Sequence, residues 1–377
     1  MGTGENMDRK GIHNGEKIRY SPKYEKKSDS IGKKAARFLG KLLLLLLETA
    51  LLLVCVLYGV MYVVVKGPSP TARDLFVMSV KETSAIGFLA DLYLSPEEIA
   101  EITTFQMEED IQTDKSLIHV PAADKKNETD TPVVDEWGLC DEDGDGIIVE
   151  PVNGEGYSGF MMVVLDPTRV IMGSVPESYG GRGYTVAEMV AHFDAVAGIN
   201  AGGFYDPNGM GNGSIPDSMV VFEGKRYYSG CRQGFVGLDG DSIMHVSTNM
   251  TDSDIQEQNI QYGVSFGPVL ISNGEIVLPE GTVSGLNPRT AIGQRSDGAI
   301  LMLVIDGRQV VSLGATLWDL AEVFQKFGAV NACNLDGGSS TLMWYQGDYI
   351  NNCASVVGIR PVPTTFLVLK EGAGSND

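Results

Sequence analysis

The residues from 42 to 65 constrain this chain more than any other stretch. Glu48 is the only charge among these 24 residues, and leucine fills positions 42–47 without a break. A helix of that length rises about 36 Å, enough to cross a hydrocarbon core of roughly 30 Å with some tilt. A helix buried in a water-soluble domain keeps a polar face, and six leucines in a row leave none. A signal-peptide core is shorter and ends on small residues at a cleavage site, whereas Lys66-Gly67-Pro68 follows here. The expectation is one transmembrane helix at 42–65, preceded by a basic cytoplasmic tail at 1–41.

The flanking charges orient it. Residues 1–41 hold eleven Lys or Arg, among them Lys33, Lys34, Arg37 and Lys41, against Lys66 and Arg73 on the other side. The positive-inside rule places the N-terminus in the cytoplasm and everything after residue 66 outside the cell membrane. The tail carries a net charge of +6, so the outer part holds −27 of the total of −21. A region that acidic repels polyanions, which argues against a nucleic-acid partner and leaves membrane lipid as the partner of the anchor. Four cysteines fall outside the span (Cys140, Cys231, Cys333, Cys353), and the three connectivities they allow stay open.

After the span, Gly67-Pro68-Ser69-Pro70 breaks the helix. Two short helices are expected next, the second opened by Ser95-Pro96-Glu97-Glu98, an N-cap with proline at the first position and an acidic capping-box partner. Polar sequence with Pro121 and Pro132 then reads as a linker, making 66–135 a membrane-proximal helical spacer. From 136 to 371 the texture changes to frequent glycine and short β-rich runs: 159–165, 169–171, 218–222, 234–238, 269–271, 299–305 and 365–369. Two helices interrupt them, one from the capping box Thr185/Glu188 to about Val196, the other over 316–327 with Gly328 as its stop. The predicted class is α+β, a mixed β-sheet domain with a few packed helices, preceded by one transmembrane helix.

The catalytic inventory mostly excludes. The four histidines (His13, His119, His192, His245) show no metal-ligand spacing, which disfavours a zinc hydrolase, and no Gly-x-Ser-x-Gly elbow supports a serine triad. Asp141, Asp143 and Asp145 resemble the start of a calcium loop, but its twelfth position is Val152, and a hydrated acidic turn feeding a strand at Ile147 is the plainer reading. No cofactor is required; calcium at those three aspartates is the one candidate.

Stronger signals are glycine-rich turns carrying Asn, Asp or Arg: Asn200-Ala-Gly-Gly203-Phe204, Gly267-Pro268-Val-Leu270, Arg289-Thr290-Ala-Ile-Gly293, Asp306-Gly307-Arg308 and Asn334-Leu-Asp336-Gly337-Gly338-Ser339. Any one of them is an ordinary turn. Together they suit an oxygen-rich ligand approached closely by backbone N–H groups. In order and spacing these motifs resemble the phosphodiester glycosidase domain family, over about 159–369. Ser339 stands where many members have a third glycine, and the N-terminal anchor places the chain with the bacterial surface members.

The resemblance implies a hydrolase that cleaves the C1–O bond of a sugar-1-phosphodiester in an envelope glycan or exopolysaccharide. Such chemistry needs a carboxylate at C1 and cationic or N–H donors at the phosphate. Asp336 is the expected carboxylate with Asp306 second, and Arg289 the expected phosphate clamp, since a guanidinium forks onto two oxygens. Asn200, Gly203, Thr290, Asn334, Gly337, Gly338 and Ser339 are expected to bind substrate; Asp306 and Arg308 have an equal claim to a structural role. Two rivals from other classes remain: a non-catalytic carbohydrate-binding or scaffold protein of cell-surface polysaccharide assembly, and a metal-dependent phosphodiesterase.

Overall fold

The structure, a computed structural model, describes residues 25–83, 86–104, 111–121, 134–207, 211–230, 233–279, 282, 284–355 and 357–372. Most of the basic tail, the polar stretch 122–133 and Cys231 lie outside them. The chain divides into two compact units, Met1–Val63 and Val64–Asp377.

Helix α1, Glu25–Lys66, contains the whole apolar run and begins well before it. The expected boundary at residue 42 is therefore a change of composition within one helix. By length and composition its segment Gly32–Lys66 suffices to cross a membrane, a test that an N-terminal signal sequence also passes. Leucines 43–47 are all more than half exposed.

The stretch expected to be a spacer is instead built into the second unit. Helix α2, Pro70–Lys81, is capped by Ser69, whose Oγ accepts from the Ala72 amide. Helix α3 is Phe88–Asp91, and α4, Pro96–Thr103, opens on the expected Ser95/Glu98 capping box. Val77, Val80, Ala90, Leu94 and Ile99 form a small core between them. The end of α2 then docks on the main body. Ser79 Oγ accepts from the Leu286 amide at 3.0 Å, and Glu82 Oε1 from the Gly285 amide at 3.3 Å. Further on, Thr113 Oγ1 accepts from the Val246 amide at 2.9 Å. These bonds and the small core make the segment a part of the folded body and not a free tether.

The α+β class holds. Three sheets carry the domain, and their paired strands run antiparallel. The first has seven strands, in spatial order Ile147–Gly154, Tyr157–Val164, Ile300–Ile305, Arg289–Arg295, Ala329–Leu335, Val269–Ser272 and Glu275–Ile276. The second has five: Asp348–Tyr349, Met343–Tyr345, Ala195–Asn200, Thr364–Leu369 and Val170–Ser174. The third also has five: Lys225–Tyr227, Val220–Phe222, Ile260–Ser265, Phe235–Asp239 and Met244–Ser247. Helix α5, Val186–His192, starts on its expected capping box but ends earlier than predicted, because Asp194 turns at φ 50° into the strand Ala195–Asn200. Helix α6 is Asp252–Glu257 and α7 is Leu317–Lys326.

The uninterrupted apolar run Ile300–Ile305 shows why the seven-stranded sheet is central. Its side chains alternate between faces. Ile300, Met302 and Val304 enter the core shared with the other two sheets, while Leu301, Leu303 and Ile305 meet the layer under α7. Each such side chain taken from water contributes about 1.5–3 kcal/mol before the entropy cost of ordering it. Helix α7 lays Leu320, Ala321 and Phe324 against that second face.

Candidate active site

Strand register gathers the motifs. Arg289 is paired with Ile305, and Thr290 with Leu335. The Arg289 end of one strand, the Asp306-Gly307-Arg308 turn and the Asn334–Ser339 turn therefore leave the seven-stranded sheet at the same edge. Asn200 joins the second sheet to this edge: its Nδ2 donates to the Asp336 carbonyl at 2.6 Å, while its Oδ1 accepts from Thr290 Oγ1 at 2.8 Å and from the Leu342 amide at 3.1 Å. Both Asn200 and Thr290 are fully buried. Of the residues expected to touch substrate, these two instead hold the Asp336 turn in place.

Over this edge lies a cavity of about 1060 Å³. Gly203, Arg289, Asn334, Asp336, Gly337, Gly338 and Ser339 line it. Asp306 is not in the lining. Its Oδ1 accepts from the Asn352 amide at 2.9 Å and Asn351 Nδ2 at 3.2 Å, and its Oδ2 from Asn352 Nδ2 at 2.7 Å. Buried and with both oxygens occupied, Asp306 braces the 351–352 loop, which is the structural role sequence had left open for it.

Backbone geometry suits close approach. Gly338 sits at φ +61°, and a Cβ there would come within 3.3 Å of the Arg308 guanidinium. A Cβ on Gly203 would meet the Asp217 carboxylate and the Phe266 ring, each at 2.9 Å. The Gly338 amide donates to the Pro288 carbonyl at 2.8 Å and so is committed to the turn. Asn334 donates through Nδ2 to the Gly267 carbonyl at 2.8 Å, and its buried Oδ1 has no hydrogen-bond partner among the described residues. A buried acceptor left unpaired costs about 1–3 kcal/mol, which a bound hydroxyl would recover.

Electrostatics divide the wall into pairs. Arg289 is buried; its Nη2 donates to Glu82 Oε2 and to the Gly285 carbonyl, both at 2.7 Å, and its Nε to the Ala315 carbonyl at 3.1 Å. Arg308 donates through Nη2 to Thr83 Oγ1 at 2.8 Å and Asn287 Oδ1 at 3.1 Å. Burial and the neighbouring Arg289 charge lower the Arg308 pKa, opposed by Glu82, yet a guanidinium stays protonated throughout the working range. Arg360 forks onto both oxygens of Asp206, at 2.6 and 2.9 Å, and also reaches Ser339 Oγ at 3.3 Å. Burial raises the Asp206 pKa, but the Arg360 bonds, the Gly211 amide and the Arg360 charge outweigh it and leave the carboxyl below its usual value.

Sequence reading did not assign Glu82, Thr83, Asp206, Asp217 or Arg360 to the site. Glu82 and Thr83 precede the motifs by more than a hundred positions, whereas Asp206 follows Phe204 by two residues and carries no distinguishing signal of its own. The acidic loop lies apart from the cavity. Asp141, Asp143 and Asp145 do bring carboxylate oxygens within 4.8 Å of one another. Those oxygens already accept from the amides of Gly144, Gly146 and Ile147 and from Tyr345 Oη, which is how an acidic turn caps the strand that follows. Cys140 and Cys353 are free thiols among the described residues.

Residues 193–369 match the family model described as phosphodiester glycosidase. A SPbeta prophage-derived protein of Bacillus subtilis (strain 168) is 31% identical over 214 residues, covering 54% of this chain and 31% of that protein. The human N-acetylglucosamine-1-phosphodiester alpha-N-acetylglucosaminidase is 28% identical over 212 residues, covering 50% of this chain and 40% of the enzyme. The chain thus spans less than half the length of these curated relatives. Among solved structures, the catalytic domain of the zebrafish enzyme, auto-inhibited by its pro-peptide, aligns over 60% of this chain and 82% of its own, at 21% identity and a TM-score of 0.49. The motif turns from Asn200 to Ser339 all fall inside the segment that is similar to the phosphodiester glycosidase family.

Proposed function

We propose that this protein hydrolyses the C1–O bond of a sugar-1-phosphodiester, releasing the free sugar and a phosphomonoester. One observation carries the reading: a single cavity collects the Asp336 carboxylate, the Arg289 and Arg308 guanidiniums and the glycine turn 337–338. The chemistry follows from the leaving group. A phosphate is a weak base, so the C1–O bond needs little help from a general acid. Asp336 activates water at C1 or attacks it directly; the oxygen of water ends on C1, and the electron pair of the broken bond stays on the phosphate oxygen. Arg308 and Arg289 stabilise the charge gathering there. Arg308, open to the cavity and without a carboxylate partner among the described residues, takes the clamp role that sequence gave to Arg289 alone. Asn334 and Ser339, the latter held by Arg360, shape the same wall.

The proposal extends to location. Helix α1 anchors the protein in the cell membrane with its basic end in the cytoplasm, and the domain acts outside on sugar-phosphate diesters of envelope glycans or exopolysaccharide. That reading rests on the apolar run and its flanking charges.

The test is to incubate the full chain in detergent with the methyl diester of N-acetylglucosamine-1-phosphate in H₂¹⁸O, with and without EDTA. Label in the sugar and indifference to EDTA are expected. Label in the phosphate would mean P–O cleavage and sink the glycosidase reading. No turnover across several sugar diesters would favour a carbohydrate-binding protein.

A further inference from the structure

A phosphate-binding end that contains a carboxylate needs a reason. Glu82 belongs to the segment between α2 and α3, outside the residues that match the family. Its Oε2 accepts from Arg289 at 2.7 Å and from Asn287 Nδ2 at 2.8 Å. Arg308 bonds the next residue, Thr83, and the same Asn287 through its side-chain oxygen. Two guanidiniums and one carboxylate therefore share this corner, leaving a net charge of +1.

Among the described residues, the other charged groups of the wall do not raise that figure. Arg360 is matched by Asp206, and Lys81 is held by Asp91 at 2.6 Å. Asp217 and Asp336, which also line the cavity, are acidic and add no positive charge. A phosphodiester carries one negative charge near neutral pH, whereas a phosphomonoester acquires its second with a pKa of about 6. A corner at +1 matches the first and is one charge short for the second.

We propose that Glu82 is a specificity-determining residue, setting the charge of the phosphate corner so that a monoanionic diester is held and a dianionic monoester is released. The inference rests on the reading that this cavity takes a phosphodiester, and it adds what that reading lacks, a means of shedding the product. It also gives the membrane-proximal helices a chemical role, since they deliver Glu82 and Thr83 to the two arginines.

The test compares dimethyl phosphate with methyl phosphate as probes, titrated into the full chain in detergent at pH 8 and followed by ³¹P NMR. Wild type is expected to prefer dimethyl phosphate. In Glu82→Gln, a near-isosteric change, the ratio of the two affinities should move about tenfold toward methyl phosphate, because the added unit of charge acts on two negative charges instead of one. Glu82→Asp keeps the charge and should stay near the wild-type ratio. An unchanged ratio in Glu82→Gln overturns the proposal. So does equal tightening of both probes, which would mean that Glu82 merely obstructs the site. A second measurement needs no variant: at pH 5 methyl phosphate is a monoanion, and the wild-type preference should narrow. A preference of the same size at both pH values contradicts the charge argument. Failure of the two readings is separable. A shifted ratio in a chain that releases no sugar sinks the glycosidase reading alone, and sugar release with an unshifted ratio sinks the role of Glu82 alone.

Discussion

At the scale of residues, a buried polar side chain depends on several partners at once. Asp239 is buried; its Oδ2 meets His245 Nε2 at 2.9 Å and Lys115 Nζ at 2.6 Å, and its Oδ1 accepts from the amides of Asp241 and Ile243. Burial pushes its pKa up, but the bonds from His245, Lys115 and Ile243 prevail and hold it at about 2. The unfolded value is about 3.9, so the stabilisation is fully present above pH 4 and is lost as pH falls through 2. A shift of that size is worth about 2 kcal/mol. Asp239→Asn should lose roughly that much at pH 7 and flatten the stability curve between pH 4 and 2; chemical denaturation across that window checks it, and an unaltered curve would contradict it. Neither His245 nor Lys115 could be assigned to Asp239 from sequence, where the histidine was legible only as one without a metal-binding neighbour. Asn200 and Thr290 make the same point. Their residue types suited a sugar, and only the fold shows them buried against each other beneath the Asp336 turn.

Elements were most legible where local chemistry decides them. The capping boxes at Ser95 and Thr185 formed as expected, and Thr316 makes a further one with Asp319. Thr316 Oγ1 caps α7 by accepting from the Asp319 amide, and Leu317 of that helix reaches the cavity. Thr316→Ala should cost about 1 kcal/mol and lower the melting temperature by a few degrees with KM unchanged. A raised KM at 25 °C would show that the cap also positions the cavity wall. Each of the seven β-rich runs picked out in the sequence contains or overlaps a strand. The strand Ala329–Leu335 is not among those seven runs, for a physical reason. Asn331 and Asn334 interrupt its apolar pattern, and both are buried. They are tolerated there because distant partners bond them: Asn331 donates to the Met244 carbonyl at 3.0 Å, and Asn334 to the Gly267 carbonyl. The docking of α2 was hidden in the same way, since nothing near Glu82 in sequence announces Arg289 beyond two hundred positions later.

For the whole molecule, the fold explains why scattered turns act as one site. Antiparallel pairing brings three motif turns to one sheet edge, the second sheet locks that edge through Asn200, and the α2 segment closes it with Glu82 and Thr83. The segment expected to be a spacer forms part of the cavity wall instead. From Lys66 to Glu82 the chain passes through the twelve residues of α2, about 18 Å of helix, with only a few residues on either side. The central claim is that Asp336 performs chemistry in a cavity that other residues hold in shape. It is tested most directly by sugar release from the methyl diester of N-acetylglucosamine-1-phosphate by Asp336→Asn, measured alongside its thermal melt. The account predicts a loss of kcat of at least about a hundredfold, as for a lost acid–base group, with a melting temperature close to wild type. Activity within a few fold of wild type, or a collapse of the melt that accounts for the loss, would contradict it.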